Sequence, residues 1–168
     1  MSTARRRLLA FLRREHANEQ GAARAYRGHA RSVRDPEEAR RIEAIEAEEW
    51  HHREILRARL EELGSAPAWF DPVLGLVGWV LGALCHVTGW LLPMLGAGWI
   101  ERRNAQGYFQ ASLDAQEAGL PELARELVEL GAVEVAHHAW FREQVGRHWL
   151  GRRLPLRELV AVPVSSRS

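Results

Sequence analysis

Two pairs of a carboxylate and an imidazole, Glu49 with His52 and Glu134 with His137, carry the chemistry this sequence could do. Residues three apart on an α-helix share a face, so each pair points at one common neighbour, and Glu-x-x-His is a metal-ligand spacing. Steps of three and four around the first pair give Ile42, Ile45, Glu49, His52, Leu56 and Leu63. Around the second they give Leu123, Leu127, Leu130, Glu134, His137 and Phe141. In both, the polar pair sits in the middle of an apolar stripe. Burying a carboxylate without compensation is costly, and a cation is the partner that best offsets two such intrusions. Glu48 and His51 repeat the spacing, but they lie about 100° around the helix, on the side expected to meet solvent.

Two single acids fall on further apolar lines. Leu12, Glu19 and Tyr26 are one heptad apart, and Met94, Ala97, Glu101, Ala105, Tyr108 and Ser112 share one face. The inward polar set is then Glu19, Glu49 with His52, Glu101, and Glu134 with His137: an acid on each of four helices and a histidine on alternate ones. This is the donor set of a dinuclear carboxylate centre in a four-helix bundle, where two helices give Glu and two give Glu-x-x-His. Oxygen-rich ligands with one imidazole per ion suit iron or manganese and argue against a structural zinc. Two iron ions are the first expectation, with manganese as the substitute. Glu19 and Glu101 have an alternative as boundary acids paired with Arg24 or Arg102. Tyr108 is either a core tyrosine or a hydroxyl beside the metals that could assist catalysis, and His138 lies next to the ligands or at the surface. His86 reads as a packing or interfacial histidine, and Trp69, Trp79, Trp90 and Trp99 as core or membrane-interface aromatics.

The elements that must position these residues are all helical. A first helix covers about Thr3 to Val33. Asp35-Pro36-Glu37-Glu38 is a start signal, with Asp as N-cap and Pro at the first helical position, and Gly64 stops the helix near Leu63. Asp71-Pro72 repeats the signal and opens a stretch, Pro72 to Ile100, without any formally charged residue. That length could cross a bilayer, which needs roughly 20 apolar residues. A single crossing is disfavoured, because Glu19 and Glu49 would then lie on one side and Glu134 on the other. A helix or broken helical hairpin that touches a membrane surface fits better. The helical pattern resumes from about Leu95 to Ala118, Gly119-Leu120-Pro121 turns the chain, and a last long helix runs to about Trp149. Residues 1–150 are expected to form one bundle, with 72–100 as its apolar segment and 151–168 as a strap and tail.

Composition narrows the function classes. A chain of 168 residues with 46% apolar content can bury one substantial core. The net charge of +1, with every basic residue an Arg, leaves no nucleic-acid footprint. The single cysteine, Cys85, excludes an intramolecular disulfide framework and a Cys-x-x-Cys module. No Gly-rich phosphate loop and no Ser-His-Asp arrangement occurs.

Across roughly Leu9 to Gln144 the sequence resembles the demethoxyubiquinone hydroxylase family of ubiquinone biosynthesis. His16-Ala17-Asn18-Glu19-Gln20-Gly21-Ala22 followed by Tyr26 resembles the segment of that family's first ligand. Glu49-x-x-His52 stands in the place of the second, Ile100-Glu101 with Tyr108 resembles the third, and Glu134-x-x-His137-His138 the fourth. The chain departs from the family pattern at Gly107, where a His commonly precedes the Tyr, and in its Arg-containing C-terminal segment. The resemblance implies an all-α, ferritin-like four-helix bundle with an added apolar helix or helical hairpin before the third ligand helix. It also implies a membrane-associated di-iron monooxygenase, peripheral at the cytoplasmic face, that hydroxylates a lipophilic quinol drawn from the bilayer. Glu49 and Glu134 would bridge the irons, Glu19 and Glu101 would be terminal ligands, and His52 and His137 would each bind one iron. Two other readings stand beside it: a ferritin-like iron-oxidising or peroxide-handling protein, and a metal-free helical membrane adaptor. An assembly of the chain with itself is compatible with all three.

Overall fold

The computed structural model describes residues 2–153. Five α-helices follow one another: α1 (Thr3–Ser32), α2 (Pro36–Glu62), α3 (Asp71–Leu84), α4 (Leu91–Glu117) and α5 (Pro121–Arg147), with a 3₁₀ turn at Gly151–Arg153. No strand occurs among the described residues, so the all-α expectation holds. The order is that of four long helices with a short apolar one inserted before the third ligand helix. The expected strap and tail fall, from residue 154 onward, outside the described residues.

The chain divides into two compact units. One comprises Leu9–Pro93; of the described residues the other comprises 2–8 and 94–153.

In the first unit, α1 and α2 are joined by a turn that the sequence specifies closely. The Asp35 side chain accepts from the backbone N–H groups of Glu37 and Glu38 at 2.8 and 3.1 Å, and Pro36 occupies the position where its missing N–H costs nothing. Gly64 ends α2 at φ 68°. Around it Ser65 N–H donates to Leu60 C=O at 2.8 Å and Gly64 N–H to Glu61 C=O at 3.0 Å, closing the last turn. Gly119 does the same after α4 at φ 75°, with Leu120 N–H to Ala115 C=O at 2.9 Å. The buried stripe of α2 is Ile42, Ile45, Glu49, His52, Leu56 and Leu60. Leu63, expected on this line, is only half-buried, because it is the C-cap and has left the helical path.

The apolar stretch departs from expectation in three ways. Asp71 does not cap α3: Phe70 holds the cap position without a side-chain bond, and the Asp71 carboxylate is engaged elsewhere. The second helical part begins at Leu91 rather than near Leu95, with Pro93 tolerated in its first turn. Trp69, Trp79 and Trp99 are 87%, 67% and 49% exposed, which rules out a core role for them. Trp90 is half-buried and donates from its indole N–H to Glu38 at 2.7 Å. The 14 residues of α3 span about 21 Å, short of a bilayer core of roughly 30 Å. Among the described residues no helix is long and apolar enough to cross a membrane.

What holds α3 in its unit is glycine. A Cβ built at Gly78 would stand 2.0 Å from the Gly21 carbonyl oxygen, and one at Gly28 would stand 2.4 Å from Gly82 Cα. The backbones of α1 and α3 therefore meet directly, as small residues permit. This leaves the opposite side of α3, including Leu76, Trp79 and Val80, exposed.

In the second unit, α4 buries Met94, Ala97, Glu101, Ala105, Tyr108 and Ser112, the line read from the sequence. On α5 the buried stripe includes Leu123, Leu127, Leu130, Glu134, His137 and Phe141. The Arg7 guanidinium closes this unit by donating to Asp114 at 2.6 and 2.9 Å and to Glu117 at 3.0 Å.

Candidate metal centre

Each unit carries one matched set of donors. In the first, Glu19 comes from α1 and Glu49 with His52 from α2. Both carboxylates are wholly buried and His52 nearly so. One ligand atom from each lies within 4.8 Å of the others, and His52 Nδ1 is 3.8 Å from Glu19 Oε1. In the second, Glu101 comes from α4 and Glu134 with His137 from α5, all wholly buried. Their ligand atoms again lie within 4.8 Å of one another. His137 Nδ1 is 3.9 Å from an oxygen of Glu101 and 3.9 Å from one of Glu134.

These separations are too long for hydrogen bonds. They match the spacing of atoms that share an ion, since two ligands each roughly 2.1 Å from a metal stand about 3–4 Å apart. Two carboxylates and one imidazole in a water-excluded pocket form a hard, anionic donor set, which suits a divalent cation such as iron or manganese. Without a cation, that much negative charge so far from water would be very costly.

The remaining predicted residues fall as follows. Tyr108 is wholly buried, two helical turns after Glu101 on the same face of α4. His138 is buried, not at the surface, and its Nδ1 lies 2.7 Å from the Gly98 carbonyl oxygen. With a carbonyl as acceptor, Nδ1 carries the proton and ties α5 to α4 one turn before Glu101. Glu48 pairs with Arg41 at 3.2 Å, and His51 and His86 are exposed. Full burial of Glu19 and Glu101 removes the reading of either as a boundary acid.

Sequence reasoning missed a second polar cluster in the first unit. Arg53, the residue after His52, donates through Nη1 and Nη2 to the two oxygens of Asp71, each at 2.8 Å. Its Nη1 also donates to the His16 carbonyl at 2.6 Å. His16 Nδ1 lies 2.9 Å from Asp71 Oδ1. Burial and the neighbouring Arg53 push the His16 ring below its ordinary pKa and outweigh Asp71, so the ring is neutral, with its proton on Nδ1 facing the carboxylate. Burial raises the Asp71 pKa, but the bonds and charge from Arg53, followed by His16, more than reverse this and hold it below the usual carboxylate value. A signal for His16 was present, since it bridges Leu12 and Glu19 in steps of four and three. For Asp71 the Pro72 that follows suggested a cap, and nothing local indicated a partner 18 residues away.

The family model described as ubiquinone biosynthesis protein COQ7 matches residues 6–110. The chain is 30% identical over 156 residues to a 3-demethoxyubiquinol 3-hydroxylase of Xanthomonas euvesicatoria pv. vesicatoria, covering 90% of this chain and 69% of that protein. A protein of the same name from Variovorax paradoxus is 31% identical over 140 residues, covering 80% of this chain and 64% of the relative. One from Bordetella parapertussis is 29% identical over 145 residues, covering 84% and 63%. The chain thus spans about two thirds of the length of these relatives. No solved structure matches it. With the matched span holding Glu19, Glu49, His52, Glu101 and Tyr108, the chain belongs to the COQ7 family of ubiquinone biosynthesis proteins.

Proposed function

We propose that this protein is a hydroxylase of ubiquinone biosynthesis that holds two iron ions, uses dioxygen, and adds a hydroxyl group to the ring of a demethoxyubiquinol-like lipophilic quinol. The observation that carries the reading is the pair of matched triads, Glu19/Glu49/His52 and Glu101/Glu134/His137, each sealed from water. Family membership and the activity for which the relatives are named point the same way.

In this reading the six side chains together would supply the ligands of one dinuclear centre. Glu49 and Glu134 would be shared between the ions, Glu19 and Glu101 would each hold one, and His52 and His137 would each offer one ion an imidazole. Iron held there supplies dioxygen activation. One oxygen atom enters a ring C–H bond to form the hydroxyl, and the other leaves as water, which requires two electrons from a donor and two protons. The four carboxylates fix the charge of the site, and the two imidazoles offer neutral lone pairs. Burial keeps bulk water from the reacting ring. Tyr108, wholly buried two turns after Glu101 on the same face of α4, is the candidate for a hydroxyl that holds a proton beside the site.

The uncovered apolar side of α3 would rest on a membrane surface, at its cytoplasmic face, and admit the quinol from the lipid. A second copy of the chain is the alternative cover for that side.

Two measurements test the reading. Protein purified without chelators should carry ~2 iron ions per chain, and fewer than about one would favour a metal-free adaptor. Expression in a cell lacking the hydroxylase should restore quinone synthesis; an iron-loaded chain that fails to do so would point to iron oxidation or peroxide handling instead.

A further inference from the structure

Asp71 sits where three helices of one unit meet. It is the first residue of α3, it takes both arms of the Arg53 guanidinium from α2, and it faces the Nδ1–H of His16 on α1. Arg53 in turn grips the His16 carbonyl, so the three residues form a closed loop of charge-assisted bonds rather than a chain with a loose end. All three are largely buried: the side chains of Arg53 and Asp71 are 18% and 14% exposed, and that of His16 is 2% exposed.

The placement of this loop gives it its consequence. Arg53 follows His52 directly, and His16 lies one turn before Glu19. The guanidinium therefore links the backbone of α1 one turn before one donor to the position of α2 directly after another, about 100° around that helix from it. A planar fork with both arms and a carbonyl engaged fixes direction as well as distance. Glu19 and His52 are themselves 3.8 Å apart at their nearest donor atoms, so a small rotation of either helix would open that spacing.

We propose that Asp71 is a positioning residue which, through Arg53 and His16, sets the spacing of the Glu19/Glu49/His52 triad. The inference deepens the metal-centre reading and rests on it for its metal-binding part alone. Outer partners that orient ligands without touching the metal commonly change metal affinity by roughly 10–100-fold when removed.

The test uses the full chain with Co(II) ions as the probe, together with the side-chain NMR signals of the histidines in metal-free protein. Asp71→Asn should shift the His52 ring signals and leave those of His137 in place. It should also weaken Co(II) binding by about tenfold and alter its visible absorption. Arg53→Lys keeps the charge but loses the fork, and should act in the same direction more weakly; Asp71→Glu should recover part of the wild-type spectrum. Asp114→Asn, which breaks the Arg7 ion pair in the other unit, is the control for a loss of stability alone. Should Asp71→Asn be poorly folded, Arg53→Lys decides. The proposal is overturned if folded variants leave the His52 signals unmoved, or change them and the Co(II) spectrum no more than Asp114→Asn does. If wild-type protein takes up no Co(II), the metal-centre reading fails, while the His52 signals still decide whether Asp71 positions the triad.

Discussion

Glu134 is the residue on which the proposed centre depends most, because it is wholly buried and shares a helix face with His137. Glu134→Ala should lower iron loading by more than about 100-fold, since it removes a ligand rather than a supporting group; a fully iron-loaded, active variant would remove it from the ligand set. His29 makes a different prediction. Burial pushes its ring from the ordinary 6.5 down to about 4, so it is neutral in the fold where the unfolded chain would be protonated. The unfolded state thus binds more protons, and stability is complete above about pH 6.5 and falls as pH drops toward about 4. At roughly 1.36 kcal/mol per pH unit the loss reaches about 3 kcal/mol. Urea unfolding at pH 6.5 and 4.5 should show it, and His29→Leu should flatten the dependence. At this scale the burial of the six ligand candidates was legible, because each interrupts an apolar stripe in register. His29 was passed over although it stands three residues after Tyr26 on the buried line of α1, and Asp114 lies beside the line through Glu101 and Ser112, not on it.

Among the elements, α2 is specified almost entirely by its own residues. Its start is set by Asp35 and Pro36, its end by Gly64, and its inward face by the steps of three and four through Glu49 and His52. The start of α3 was misread for a physical reason: Asp before Pro is a cap signal only while the carboxylate has no stronger partner, and here Arg53 supplies a bidentate one. The glycines of the apolar stretch serve close packing, since the α1–α3 contact runs through backbone atoms. Gly78→Ala should therefore cost about 1–3 kcal/mol, measured by thermal unfolding, because the new methyl group meets the Gly21 carbonyl and not a flexible side chain. An unchanged melting temperature would show that the two backbones can separate at little cost.

For the molecule as a whole, the expectation was an all-helical chain whose apolar stretch has the length to cross a bilayer but does not make a single crossing; among the described residues every element is helical and no helix is long and apolar enough to cross a membrane. The exposed side of α3 is an apolar surface of the kind that marks an interaction site. Leu76 and Val80, one turn apart and 64% and 52% exposed, lie on it. Each such side chain buried in lipid contributes about 1.5–3 kcal/mol. Leu76→Glu or Val80→Glu should thus reduce sedimentation with phospholipid vesicles by about tenfold or more and leave melting unchanged. Equal sedimentation of wild type and both variants would leave a second copy of the chain as the cover for α3.

The direct backbone contact of α1 and α3 gives the short helix two unlike margins for sequence change. On its inner edge a single added carbon is refused at Gly78, so substitutions there are decided by steric fit. On its outer edge no neighbour among the described residues covers Leu76 or Val80, so exchanges among aliphatic and aromatic types are decided by solvation alone. A library randomising residues 71–84 should therefore return a tolerance profile that rises and falls with a period of about 3.6, its minima at the glycines and its maxima at positions open to any oily side chain.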